Sequence, residues 1–241
     1  MNTIDVRVGN PLRHGSLSLF PLLVESAAPI DYSCLDAAVR QGDLAVLPGW
    51  TVASGFRLQN QGNARLLLLS SQSLPGTGQA CVLNTSILVP AGATIEIPSR
   101  LFSAEPSRQD DLPAKQLGDY QRQFAYVAGA AGLAVAAGRD FVTVDLFDRA
   151  TTCQAVWKRC LGEAAVIAGA FPSAAGWARN LAVQQLLISL SRAAWHEVER
   201  LGDGSLHHAE LLGGSASSLS WQGHLIHAKW RRTSVALPAM A

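Results

Sequence analysis

The chain has 241 residues, 49% of them hydrophobic and only 15% charged, with a formal net charge of +1 at pH 7. That length can bury a sizeable core, and the near-neutral balance removes any electrostatic ground for expecting nucleic acid or an anionic membrane as partner. No apolar run approaches the roughly 20 residues of a membrane helix, and the opening Met1-Asn2-Thr3-Ile4-Asp5-Val6-Arg7 lacks the apolar core of a secretion signal. A cytoplasmic protein is expected. Typical soluble domains carry about 25% charged residues, so this surface is either poor in charge or partly covered by another subunit.

Residues 1–100 read as β-rich. The stretch 16–24 begins with alternating polar and apolar residues, as a half-buried strand does. Asp31 is placed to cap a short helix over 34–40, with Gly42 as its stop. Strands are predicted near 44–47, 54–58, 65–70, 80–89 and 94–97, separated by Pro48-Gly49, Gln61-Gly62-Asn63 and Pro90-Ala91-Gly92. Residues 101–115 turn polar and read as a loop or linker, followed by a helix to about residue 128. A hairpin over 133–147 turns at Gly138-Arg139-Asp140. In its second strand Val142, Val144 and Leu146 share one face, and Thr143, Asp145 and Phe147 the other. Thr151 and Gln154 have capping-box spacing for a helix to about residue 168. A second helix is predicted over 178–201, with Val183, Leu186, Leu187, Leu190, Ala194 and Val198 on one side. Strands near 206–212, 217–221 and 224–230 close the chain, with Gln222-Gly223 as the last turn. The fold class is therefore α+β. An N-terminal antiparallel β sandwich-like region (1–100) and a 101–115 loop precede a C-terminal sheet backed by two helices (116–241), all in one compact unit.

The segment 66–98 carries a resemblance. A Leu-rich strand, a loop with Gly76 and Gln79, Val82-Leu83-Asn84-Thr85-Ser86, Val89-Pro90-Ala91-Gly92 and Ile97-Pro98 is similar to the ADP-ribosylglycohydrolase/rhodanese/phosphatase-associated protein domain. Gly15-Ser16-Leu17-Ser18-Leu19-Phe20-Pro21-Leu22, Asp145-Leu146-Phe147-Asp148, Trp157 and Gly223-His224-Leu225-Ile226-His227 extend the likeness over about residues 12–230. The resemblance implies an α+β bacterial protein and a genomic association with enzymes of NAD and ADP-ribose processing, with no established reaction. The chain departs from the family where charged residues are usual. Ser70-Ser71-Gln72-Ser73 stands at an acidic stretch, and Gly78-Gln79-Ala80-Cys81 at a Lys-Gln-Asn-Arg stretch.

The chemistry-bearing residues are few. Gln72, Gln79, Asn84 and Thr85 are candidate ligand-binding residues of the 70–81 loop, where amides and hydroxyls orient a ligand but supply no strong acid, base or nucleophile. Gln72 and Gln79 are expected to face an open loop. Asp145 and Asp148 flank a helix start, where carboxylates serve capping and the helix dipole as readily as a metal. His224 and His227 fall on opposite faces of a regular strand, as do His207 and His208, which argues against a shared metal. Cys34, Cys81, Cys153 and Cys160 show neither Cys-x-x-Cys nor zinc spacing and read as free, buried thiols. No Gly-x-Ser-x-Gly elbow supports Ser/His/Asp catalysis. No catalytic residue, metal or cofactor is assigned. The expected function is that of a non-catalytic binding or scaffold protein, self-associating through its charge-poor surface. The alternative is a ligand sensor or enzyme of NAD/ADP-ribose-linked metabolism, with its pocket at residues 72–85.

Overall fold

The computed structural model describes residues 5–25, 28–47, 55–75, 81–103, 114–169, 175–211 and 213–233. In chain order, β1 (Val6–Val8), β2 (Leu12–His14) and β3 (Leu17–Val24) are followed by β4 (Tyr32–Cys34), which runs directly into α1 (Leu35–Gln41). Six short strands follow: β5 (Leu44–Val46), β6 (Phe56–Asn60), β7 (Arg65–Leu68), β8 (Val82–Leu83), β9 (Ile87–Val89) and β10 (Thr94–Ile97). A short 3-10 turn over Ser99–Leu101 leads to β11 (Phe102–Ser103) and α2 (Ala114–Gln123). The hairpin of β12 (Ala130–Ala137) and β13 (Asp140–Phe147) precedes two helices, α3 (Ala150–Gly169) and α4 (Asn180–Arg192). The final meander comprises β14 (His196–Leu201), β15 (Gly204–Leu211), β16 (Gly214–Trp221) and β17 (His224–Arg232).

The fold is α+β, as expected, and one nine-stranded sheet dominates it. Its order is β1-β3-β12-β13-β17-β16-β15-β14, with β2 beside β3, so the first strands of the chain pair with the C-terminal hairpin rather than with residues 30–100. The strands β4 to β11 form three small sheets instead: β10-β6-β5, β4-β7-β9 and β11-β8. They are antiparallel except for the parallel pair β4·β7. The two helices expected to back the sheet lie on opposite faces of it. Leu17, Leu19, Leu133 and Val135 point into a core with α3 and the small sheets. Phe20, Leu22, Ala134 and Ala136 point into a second core under α4. The alternation follows from the period of two along a strand. A bulge in the β12–β13 pairing breaks it. Val142 is skipped in the pairing of Val135 with Thr143 and Ala136 with Phe141, so Val142 joins the α3 side while Val144 and Leu146 stay on the α4 side.

Three local expectations are corrected. The predicted 80–89 strand is split at Asn84 and Thr85, because the Asn84 N–H donates to the Leu101 carbonyl at 2.8 Å; β8 then pairs β11 while β9 pairs β7. The helix predicted over 178–201 stops at Arg192. The Trp195 indole N–H satisfies the Leu190 carbonyl at 3.0 Å, and His196–Leu201 becomes an edge strand on β15, leaving Val198 exposed. Helix α1 is N-capped by the backbone at Cys34, with no side-chain cap from Asp31 or any other residue. Its Gly42 stop is left-handed, as predicted (φ 75°).

The turn between β14 and β15 ties the far edge of the large sheet to the small ones. The Asp203 N–H donates to the Leu88 carbonyl at 3.0 Å, and Arg65 pairs with Asp203 at 2.5 Å. Gly202 has φ +61°, and a Cβ there would lie 2.2 Å from the Leu88 carbonyl oxygen. Gly213 has φ +83° with open space around it. Both substitutions to Ala incur the left-handed strain of about 1–2 kcal/mol, but only Gly202→Ala also meets backbone. Thermal melts should show Gly202→Ala falling several degrees further than Gly213→Ala; equal shifts would mean that this joint is looser than described.

Candidate functional site

The densest group of ionisable side chains is buried where β13, β17, α3 and the turn after β7 meet. Strand β17 presents His227, Lys229 and Arg231 at a spacing of two, so all three point to the α3 side, away from Ala228 and Trp230. Asp145 on β13 lies opposite Lys229 in the register. Helix α3 contributes Arg159 and Glu163, four residues apart and hence on one side of the helix. Lys229 donates to Glu163 Oε2 at 2.6 Å and stands 3.7 Å from Asp145 Oδ1. Arg231 pairs with Glu163 Oε1. The Ser71 hydroxyl donates to the same oxygen at 3.0 Å and accepts from Arg231 at 3.1 Å. Ser71 has φ 65°, a left-handed conformation that is uncommon outside glycine. It sits in a tight turn in which the Gln72 N–H donates to the Leu69 carbonyl. The Arg159 guanidinium donates to the Ser70 carbonyl at 3.1 Å. The 70–73 stretch therefore lies against two cations, Arg159 and Arg231, and Glu163 is the acid bonded to Arg231 and Ser71 there.

A second chain of hydrogen bonds branches from Asp145. His227 Nε2 lies 3.2 Å from Asp145 Oδ1, and His227 Nδ1 lies 2.8 Å from the Ser86 hydroxyl. With Asp145 ionised, Nε2 carries the proton and Nδ1 accepts from Ser86; Ser86 Oγ in turn accepts from the Ser70 N–H at 3.0 Å. The sequence shows no elbow motif, yet the fold aligns serine, histidine and aspartate in the order of a nucleophilic triad. Exposure decides what that alignment does. Ser86, His227 and Asp145 are 4%, 2% and 1% exposed, and the His227 ring stacks on Phe147 at 4.7 Å. The hydrogen bonds run unbroken from the Ser70 N–H to Asp145 Oδ1, while Ser70 Oγ and Asp145 Oδ2 beside the path are buried without a partner among the described residues. Ser86 Oγ is thus engaged by both Ser70 and His227, and the chain of bonds ties the turn after β7 and the start of β9 to the large sheet.

The electrostatics agree. Burial opposes ionisation of Asp145, but Lys229, the His227 hydrogen bond and Arg159 outweigh it and hold the carboxyl well below its usual range. Glu163 is likewise lowered, with burial outweighed mainly by Lys229 and Arg231. Burial lowers His227 more than Asp145 raises it, which keeps the ring neutral. The four cysteines are free, and Cys81, Cys153 and Cys160 are buried. Burial pushes Cys34 and Cys81 up to about 11 and Cys160 up to about 12, so none is a thiolate nucleophile at neutral pH.

The residues singled out by sequence are dispersed. Gln72 does not face an open loop: it is 4% exposed, and its side-chain oxygen accepts from the Leu69 N–H at 2.7 Å. Asn84 is exposed and Thr85 half-buried. Gln79 lies outside the described residues. Asp145 and Asp148 face different partners. Asp148 accepts from the Tyr32 hydroxyl and pairs with Arg149 at 2.7 Å, and Arg149 reaches the Ala28 and Ile30 carbonyls. Residue Ile226 is the extra residue of a bulge between β16 and β17, so the opposite-face expectation for His224 and His227 loses its basis. His208 pairs with Glu210 at 2.7 Å, and no cluster of His, Cys, Asp and Glu suited to a metal occurs among the described residues. The network itself was readable in part. Glu163 is the only acidic residue of α3, and His227, Lys229 and Arg231 alternate with apolar residues.

This is a large-sheet α+β protein with an internal ion network at its centre. The sequence profile of the ARG and Rhodanese-Phosphatase-superfamily-associated Protein domain matches residues 5–100 and 110–230, and the chain belongs to that family. No curated protein and no solved structure matches it. No helix among the described residues is long and apolar enough to cross a membrane.

The pH dependence of stability follows from the network. His227 has a lowered pKa in the folded state, so the unfolded chain binds its proton first as pH falls through about 6.5. Its contribution is complete above that pH and is lost below it. The lowered Asp145 and Glu163 contribute fully above about pH 4.5, their unfolded range, and are lost in stronger acid. The melting temperature should therefore decline between about pH 7 and 5.5, and His227→Gln should flatten that decline. A parallel decline in the variant would assign it to other histidines.

Proposed function

We propose that the protein is a non-catalytic binding protein whose small-molecule ligand occupies an apolar cleft between α4 and the large sheet. The cleft has a volume of about 420 Å³, within the range of small-molecule sites. Leu146, Leu225 and Trp230 wall it from the sheet, and Leu187, Ile188 and Trp195 from the helix side. The observation that carries the reading is how loosely α4 is seated. Val183 is its only fully buried residue, although Leu186, Leu187 and Leu190 all lean toward the sheet. An amphipathic helix held against a sheet normally buries its whole apolar stripe. Here part of that stripe lines an opening. Polar residues at the cleft are few: Gln184 and Ser191, which can orient a ligand, Asp5 just before β1, and Lys229, whose ammonium is turned to Glu163 on the other face of the sheet.

Self-association belongs to the same proposal. Leu181 and Ile188, seven residues apart on one side of α4, are 62% and 48% exposed, and a second copy is the occupant that would cover them. Four free cysteines fit a reducing, cytoplasmic setting. The alternative pocket over residues 72–85 draws less support, because the Gln72 amide oxygen is already engaged and Asn84 points to solvent.

A neutral apolar fluorophore such as Nile red, titrated with tryptophan quenching as a second readout, tests the cleft. Saturable one-to-one binding is expected. Ala228→Leu, which fills the sheet side of the cleft, and Gln184→Trp, which blocks its edge, should each weaken binding about tenfold or more, or roughly 1.4 kcal/mol. Ester hydrolysis by wild type and Ser86→Ala should both stay at the buffer rate. Binding unaffected by either cleft variant, or hydrolysis that Ser86→Ala removes, would overturn the reading.

A further inference from the structure

We infer that a second site, at the end of the large sheet where α4 begins, binds a phosphate-bearing small molecule. Three segments meet there. Arg13 comes from β2, Arg139 from the β12–β13 turn, and Trp177 and Arg179 from the segment entering α4; together they line a cavity of about 520 Å³. Backbone hydrogen bonds hold the segments to one another. The Gly138 N–H donates to the Ser16 carbonyl at 2.8 Å, and the Ala178 N–H donates to the Gly138 carbonyl at 2.8 Å. The Asn180 side chain adds a bond to the Gly9 carbonyl at 3.2 Å. The three cations are therefore brought to one place by the main chain and not by chance rotamers.

Their charge is not balanced from within. Arg65, Arg149 and Arg231 each have a carboxylate partner, whereas none among the described residues lies within ion-pair distance of Arg13, Arg139 or Arg179. The nearest acid in sequence, Asp140, is paired with Arg232 at 3.1 Å. Two side chains are also held in place. The Arg13 guanidinium lies over the Trp177 ring, 5.5 Å from its centroid. Arg139 folds against Gly176, where a Cβ would come within 2.7 Å of its Nε. Gly176 has φ +96°, so the position suits glycine on both counts.

Guanidinium forks match the geometry of phosphate oxygens and bind them bidentately. Three forks in one cavity suit a group carrying more than one negative charge. The first turn of α4 opens on the same cavity through Arg179, Leu181 and Ala182, and the positive end of the helix dipole adds to the potential there. The site is distinct from the apolar cleft. The two share no lining residue: this site uses Leu181, Ala182 and Gln185 of α4, where the cleft uses Gln184, Leu187, Ile188, Leu190 and Ser191.

Isothermal titration of the full chain with pyrophosphate, and separately with inorganic phosphate, tests the inference. Pyrophosphate should bind saturably, and more tightly than phosphate, in about 0.1 M salt, where weak long-range attraction is screened. Arg139→Gln combined with Arg179→Gln should lower the affinity at least about tenfold with an unchanged melting temperature, since neither side chain has an ion-pair partner to lose. Arg40→Gln, on the surface of α1, should leave the affinity as it is. Nile red binding should be equal in all of these proteins, which separates failure of this site from failure of the apolar cleft. Absence of saturable pyrophosphate binding, or binding that survives the double substitution, would overturn the inference. So would binding to vesicles of anionic phospholipid without any to pyrophosphate, since that result would make the patch a surface for lipid headgroups.

Discussion

The ion pair between Glu163 and Lys229 joins helix α3 to strand β17 in the middle of the large sheet. Both groups are buried, so the pair is costly to desolvate, by several kcal/mol per ion. It persists because both carboxylate oxygens of Glu163 are engaged and Lys229 has Asp145 as a second counter-ion at 3.7 Å. Glu163 takes Lys229 on one oxygen, and Arg231 and Ser71 on the other. Asp145 balances the remaining positive charge from Lys229 and Arg159. Through Ser71, Ser70 and Ser86 the same group reaches the turn after β7 and the strand β9 that pairs with it. The three parts of the fold, namely the large sheet, α3 and the small sheets, meet at one set of charges that cannot be rearranged without leaving an ion unpaired.

This constraint divides the molecule. On the α3 side, Leu67, Leu69, Ile87, Trp157 and Phe147 fill the space around the ions and exclude water. The serine, histidine and aspartate aligned there are enclosed by the same packing. On the α4 side nothing comparable fixes the helix. It rests on Val183 and a few half-buried leucines, and the two open concave surfaces beside it follow from that.

Much of the fold is legible in the residues. The hairpin at 133–147, helix α3, the Gly42 stop and the Gln222-Gly223 turn follow from periodicity and turn chemistry, and φ values of 47° and 82° at that last turn are those of a tight hairpin. The failures have physical causes. The period of 3.6 continues past Arg192 into Val198, but pairing with β15 offers the backbone of 196–201 a full ladder of hydrogen bonds, and the helix ends. The bulges at Val142 and Ile226 shift one residue each to the other face, which no alternation rule anticipates. The partners of the ion network lie 66 residues apart for Glu163 and Lys229, and 141 apart for Ser86 and His227, so local patterning marks each residue as unusual without pairing it. The three arginines near Trp177 were hidden for the same reason, since they come from strand β2, the β12–β13 turn and the segment entering α4.

A double-mutant cycle on Glu163 and Lys229 tests the central claim most directly. Stability is measured by denaturant unfolding for Glu163→Met, Lys229→Met and the double variant. Each single change strands a buried charge and should cost about 3–5 kcal/mol. The double change removes both charges and should cost well under the sum, with an interaction energy of at least about 1–2 kcal/mol. Additive costs, or single variants within about 0.5 kcal/mol of wild type, would contradict an account in which this pair joins the parts of the fold.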